Sequence, residues 1–261
     1  MSIGDSTQRF SSRVADYVRY RPGYPPEIVQ TLKSDCALTA ASVIADVGSG
    51  TGFLARVFLE NGNRVYGIEP NKEMREAGEQ LLKGWPEYIS VSGTAEATTL
   101  AAENVDFVTA GQAAHWFHRE HARREFLRIL RPGGWLVLVW NDRATDSTPL
   151  LRAYEQLLQS HCPDYPEVRR IDARAASGIE RFFSPAPMRK KTFPSYQVLD
   201  YEGLKGRLLS SSYAPQERHP NHLPMISELR AIFAQYQVDG RVIFGYETRM
   251  YYGKLRTVSF F

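Results

Sequence analysis

Asp46, the alternate glycines Gly48, Gly50 and Gly52, and Glu69 are the residues whose types and spacing best suit chemistry. Glycines reach backbone angles closed to other residues and let the main chain approach a ligand without side chains in the way. A ligand therefore belongs at this turn, with one carboxylate before it and another beyond it. A second group is Gln112, His115 and Trp116, where an imidazole can serve as a general base and an indole face can meet a cation. Tyr20 and Arg21 precede the breakpoint Pro22-Gly23. Tyr17 and Tyr20 are three apart and can share a helix face. His115, His118 and His121 do not make a metal site, because their spacing puts the outer two on different helix faces and no fourth ligand is nearby.

The elements that must hold these groups follow from the apolar pattern. Val43 to Val47 lacks polar alternation apart from Asp46, as expected of a parallel strand covered on both faces. Phe53, Leu54, Val57 and Phe58 have the spacing of a helix buried on one side. The pattern predicts further strands over 65–68, 88–91, 105–110 and 135–140. Helices are predicted over 26–38, 72–82, with Asn71 as N-cap, and 119–130. Beyond Asn141, residues 149–161, 201–209 and 223–236 read as helical. Cys162 to Pro187, with four prolines, reads as an irregular insertion. Arg189 to Lys191 reads as a solvated strand face, and the alternation over 241–252 as a final strand.

Glycine spacing separates two kinds of nucleotide-binding turn. The dinucleotide fingerprint G-x-G-x-x-G needs a third glycine where this chain has Phe53. Asp46-x-Gly48-x-Gly50-x-Gly52, Glu69 at the end of the next strand, and the later Arg131-Pro-Gly-Gly turn resemble instead the class I S-adenosylmethionine (SAM) methyltransferases, small-molecule group, of the type 11 or trans-aconitate methyltransferase-like kind. The resemblance covers roughly 10–141 well and the remainder in outline. It implies an α/β, Rossmann-like, doubly wound, mostly parallel seven-stranded sheet with an antiparallel final strand. An N-terminal helical arm and a C-terminal helical insertion accompany the sheet. The implied divisions are an arm or lid over 1–38, a SAM-binding core over 39–145, and a C-terminal part over 146–261 with a cap-like insertion at about 160–240.

The resemblance also implies a cofactor site. Asp46, Gly48, Ser49, Gly50 and Gln112 would face SAM, Glu69 and Pro70 its ribose, and Thr94 and Ala95 the adenine edge. Thr94 stands where many family members carry Asp. Tyr20 and Arg21, in the Arg21-Pro-Gly-Tyr-Pro25 segment, would cover cofactor and substrate, with His115 and Trp116 in the acceptor pocket. The implied reaction is in-line methyl transfer to an oxygen or nitrogen of a small acceptor. An acceptor of high pKa would need a base, for which His115 is best placed, with an ionisation near the reference value of about 6.5. A carboxylate acceptor would need a cation instead, and Arg21 is the candidate. A SAM-binding regulatory protein without turnover is the alternative. A nicotinamide-dependent oxidoreductase is disfavoured by Phe53.

Composition bounds the rest. A net charge of +3, from 32 basic and 29 acidic side chains, makes no case for nucleic acid. Cys36 and Cys162 suggest neither a disulfide framework nor zinc. No apolar run approaches the roughly 18 residues of a membrane span, and Met1 to Gln8 lacks the apolar centre of a signal peptide. A cytoplasmic protein without a membrane or nucleic-acid partner is expected.

Overall fold

The structure is a computed structural model that describes residues 18–256; residues 1–17, including Tyr17 and the first part of the expected arm, lie outside the described residues. Seven strands form one sheet in the order β3-β2-β1-β4-β5-β7-β6. They are β1 (Val43–Val47), β2 (Arg64–Ile68), β3 (Tyr88–Val91), β4 (Val105–Gly111), β5 (Leu130–Arg143), β6 (Arg189–Leu199) and β7 (Val242–Lys254). The first five pair in parallel, and β7 runs antiparallel to both β5 and β6. The chain winds outward from β1 to β3 and then returns to β4 on the other side of β1. That reversal opens a crevice at the carboxyl ends of β1 and β4, where open α/β sheets take their ligands.

Alternate residues of the central strands enter two separate cores. Ala45, Val47, Val108, Leu136 and Leu138 pack on one face, with Phe126 of the helix Arg119–Ile129. Ile44, Phe107, Val137 and Val139 pack on the other, with Leu54 and Phe58 of the helix Phe53–Glu60. A third core joins the helices Pro149–His161, Tyr201–Leu209 and His222–Tyr236 to Phe244 and Tyr246 of β7. Val242, Phe244, Tyr246, Thr248, Met250 and Tyr252 are all buried, as the alternation requires.

One sequence expectation is corrected. Residues 162–187 are not irregular: they form the helices Tyr165–Gly178 and Glu180–Phe183. Pro163 and Pro166 fall before and within the first turn, where a missing N–H breaks no helical bond, and Pro185 and Pro187 follow the second helix. The four prolines thus bracket helices. β6 lies inside the expected insertion at 160–240 and forms the sheet edge, with Arg189, Lys190 and Lys191 exposed.

The loop after β3 is pinned by Glu125, whose Oε1 accepts from the Thr98 amide at 2.9 Å and the Thr98 hydroxyl at 2.5 Å. Arg128 pairs with the same carboxylate and donates to the Leu100 carbonyl. Burial alone would raise the Glu125 pKa, but Arg128 and Thr98 outweigh it and hold it at about 2. A depressed carboxylate stabilises the fold above its unfolded pKa, near 4.5, and loses that contribution as pH falls toward 2. Glu125→Gln should therefore be less stable than the parent at pH 6 and converge on it near pH 2, as read by urea unfolding. A pH-independent gap would contradict this ionic role.

Candidate functional site

The turn after β1 is tied to the end of β2 before any ligand arrives. The amides of Gly48 and Ser49 both donate to the Ile68 carbonyl, at 2.8 and 3.1 Å. Glu69 closes the arrangement: one carboxylate oxygen accepts from the Gly50 amide and the other from the Asn71 amide, each at 2.9 Å. Burial raises the Glu69 pKa, and the Asn71 and Gly50 amides oppose the rise. Gly48 has φ +66°, and a Cβ there would lie 2.6 Å from that of Ala113. Only glycine satisfies both constraints without strain. Asn71 caps the helix Lys72–Leu81 by accepting from the Met74 amide, as its place in the sequence suggests.

A cavity of about 230 Å³ opens beside this turn. Arg21, Asp46, Gly48, Ser49, Gly50, Gln112, His115 and Trp116 all line it, so eight of the residues singled out by sequence meet there. Glu69 reaches this wall through Gly50. Tyr20, Pro70, Thr94 and Ala95 are outside the lining. The Tyr20 ring packs over Gly206, while Pro70 is exposed at the head of its helix. Thr94 exchanges two backbone hydrogen bonds with Ala97, and Ala95 is buried.

Asp46 is 1% exposed and accepts from the Thr109 hydroxyl at 2.9 Å through Oδ1. No described group makes a full hydrogen bond to Oδ2. Burial pushes its pKa up to about 7, opposed by the Thr109 hydroxyl and the Ala55 amide and reinforced by Glu69. Thr51 Oγ1 and His115 Nδ1 are likewise buried without partners. Such orphaned polar atoms cost free energy unless something bonds them, so their clustering around one cavity marks a binding site. An amino group suits Asp46, and a ligand backed by bare peptide suits the glycine turn. The residues present thus fit a nucleoside-linked amino acid.

The rest of the lining contains residues that the sequence did not single out. Tyr24, Asn141, Arg143, Tyr165, Arg207 and Tyr213 line the same cavity. Asn141 joins three elements: its Nδ2 donates to the Gly23 carbonyl, its Oδ1 accepts from Thr248, and its carbonyl accepts from Gln112 Nε2. Arg21 donates to the Ser210 carbonyl and Gln197 to the Tyr20 carbonyl, so the described part of the arm is fixed over this part of the lining at three points. Tyr24 belonged to an arm segment already noticed, and its hydroxyl would meet a Cβ on Gly111 at 2.5 Å. Arg207 has no local signal beyond its placement between Leu204 and Leu208 on an inward helix face.

A sequence-family model described as a methyltransferase domain matches residues 45–138. An uncharacterised methyltransferase of Schizosaccharomyces pombe is 35% identical over 151 residues, 58% of this chain and 59% of that relative. The chain spans about six-tenths of the length of such curated relatives. A candidate type II methyltransferase from Anaeromyxobacter dehalogenans has a TM-score of 0.67 at 20% identity, over 90% of this chain and 98% of that one. A candidate SAM-dependent methyltransferase from Methanococcus maripaludis has a TM-score of 0.55 at 17% identity, over 72% and 91% of the two chains. At these identities the two structures establish a shared fold.

His115 corrects a second expectation. Its ring stands 4.7 Å from that of Trp116, and burial lowers its pKa to about 4 instead of leaving it near 6.5. The imidazole is therefore neutral at pH 7, able to accept a proton but a weak base until an anion or developing charge stands beside it. A buried neutral histidine takes up its proton more readily unfolded, so stability falls as pH drops from about 6.5 to 4. The His115 ring resonances should titrate near pH 4 in NMR spectra of the ligand-free protein. His115→Gln should flatten the acid loss of stability in that window. Titration above pH 6 would contradict the burial argument.

Proposed function

We propose, on the premise that residues 45–138 of this chain match a methyltransferase domain, that it transfers a methyl group from SAM to a small-molecule acceptor. The observation that carries this reading is the Gly48–Gly50 turn clamped by Glu69 beside the unpartnered carboxylate oxygen of Asp46. Glu69 would accept the ribose hydroxyls with the lone pairs its two amide bonds leave over. Asp46 would hold the amino group, and that cation would draw the carboxyl below its raised pKa of about 7. SAM supplies an activated methyl: the acceptor's lone pair forms the new bond as the carbon–sulfur bond breaks, and the sulfonium electron pair stays on sulfur.

What this chain contributes is position and exclusion of water. Holding the acceptor in line supplies up to roughly 7–11 kcal/mol when alignment is ideal. Arg21, Tyr24 and Asn141 would close the cavity, and Trp116 would pack on the acceptor or face the sulfonium. His115 would take the acceptor's proton where there is one. We further propose that the protein acts in the cytoplasm without a nucleic-acid or membrane partner. Among the described residues no helix is long and apolar enough to cross a membrane.

Calorimetry should show SAM and S-adenosylhomocysteine binding while NAD and NADP do not. Glu69→Ala should weaken S-adenosylhomocysteine by about 1.5–3 kcal/mol, the worth of a hydrogen bond to a charged group. Binding of NAD with no SAM signal would sink the reading. Labelled SAM with a panel of carboxylic acids, phenols and amines should yield S-adenosylhomocysteine. Tight cofactor binding with no turnover on any acceptor class would favour a regulatory SAM-binding protein.

A further inference from the structure

The cavity wall farthest along the chain from the glycine turn carries positive charge that the protein leaves uncompensated. Arg207, on the helix Tyr201–Leu209, is 7% exposed and lines the cavity. Its Nε donates to the Tyr246 hydroxyl at 2.9 Å and its Nη1 to the Ser211 hydroxyl at 3.1 Å. Those neutral oxygens orient the guanidinium without neutralising it. Among the described residues no carboxylate forms an ion pair with Arg207. A guanidinium stays charged at any accessible pH, and burying an unpaired charge costs several kcal/mol.

Arg143, at the end of β5, adds a second donor. Its side chain is 9% exposed, its Nη2 bonds Glu155 and the Tyr165 hydroxyl, and its Nη1 is buried without a partner. Glu155 balances the Arg143 charge, so that N–H is held in place while Arg207 supplies the net charge. Two carboxylates line the cavity, and neither pairs with Arg207: Asp142 pairs with Arg249 at 3.3 Å, and Asp46 lies at the glycine turn. Arg21, the cation expected from the sequence for this purpose, donates to Ser210, three residues beyond Arg207. Tyr165 and Tyr213, ring to ring at 4.9 Å, give the same wall an aromatic side.

We infer that this wall is the anchoring subsite for an anionic acceptor, whose carboxylate or phosphate-ester oxygens dock on Arg207 and the Arg143 Nη1 donor. The inference rests on the methyl-transfer reading for the word acceptor. An oxyanion matches both features: it neutralises Arg207 and satisfies the orphaned N–H in one step, through charge-assisted hydrogen bonds. A neutral acceptor would leave the buried charge as it is. The arm residues fixed over the wall would then shield the ion pair from water, which strengthens it.

The test uses the full chain saturated with S-adenosylhomocysteine, whose binding is verified first; failure at that stage counts against the methyl-donor reading and not against the subsite. Calorimetry then compares succinate with succinamide, benzoate with benzamide, and phenyl phosphate with phenol. At least one anion should bind tenfold or more tightly than its neutral partner, the carboxylate and phosphate arms showing which oxyanion the wall prefers. Arg207→Met should abolish that preference while S-adenosylhomocysteine affinity stays within threefold, and Arg207→Lys should keep part of it. If Arg207→Met does not fold, the acid–amide comparison in the parent decides alone. Equal binding of every pair, no binding of any anion, or an undiminished preference in Arg207→Met would overturn the inference.

Discussion

The buried Glu69 carboxylate is the interaction on which the site depends. Its two oxygens take one amide each from Gly50 and Asn71, so a single side chain sets the turn after β1 and the start of the helix after β2. Burial raises its pKa, and the Asn71 and Gly50 amides, with the Arg75 charge, oppose that rise. The turn is therefore shaped before a ligand enters, and little ordering is left to be done on binding. Gly48 completes the constraint because its positive φ and its closeness to Ala113 leave no room for a side chain.

The second half of the cavity depends on Asn141 in a comparable way. One amide side chain and its carbonyl connect the arm at Gly23, β7 at Thr248 and the loop after β4 at Gln112. Helices of the third core bring Arg207 to the same wall. The first two strands of the sheet thus shape the turn proposed to hold the methyl donor, while the wall proposed for the acceptor comes from β5 and the C-terminal helices. The two halves meet between Gly48 and Arg207, with His115 and Trp116 also in the lining.

The glycine turn was legible in the sequence because it is local: strand, turn and helix entry lie within thirteen residues, 43–55, and each residue type has a backbone reason to be there. The β7 alternation and the Asn71 cap were legible for the same reason. The wall proposed for the acceptor was not, since Arg207 comes to line one cavity with Arg21 and Arg143 only through pairings of β5, β6 and β7 that no short window encodes. Tyr20 and Tyr24 show the limit sharply. Both are arm tyrosines, and the backbone break at Pro22-Gly23 sends Tyr24 into the cavity and Tyr20 onto Gly206. His115 was located by its place after β4, but its depth, and hence its lowered pKa, comes from packing that sequence does not display.

A crystal structure of the chain with S-adenosylhomocysteine tests the central claim most directly. The account predicts the ribose hydroxyls on the Glu69 carboxylate, the amino group on Asp46, and peptide of the Gly48–Gly50 turn against the ligand. The Arg207 end of the cavity should remain open for an acceptor. Ligand bound elsewhere, or in this cavity with no contact to Glu69 or Asp46, would contradict it.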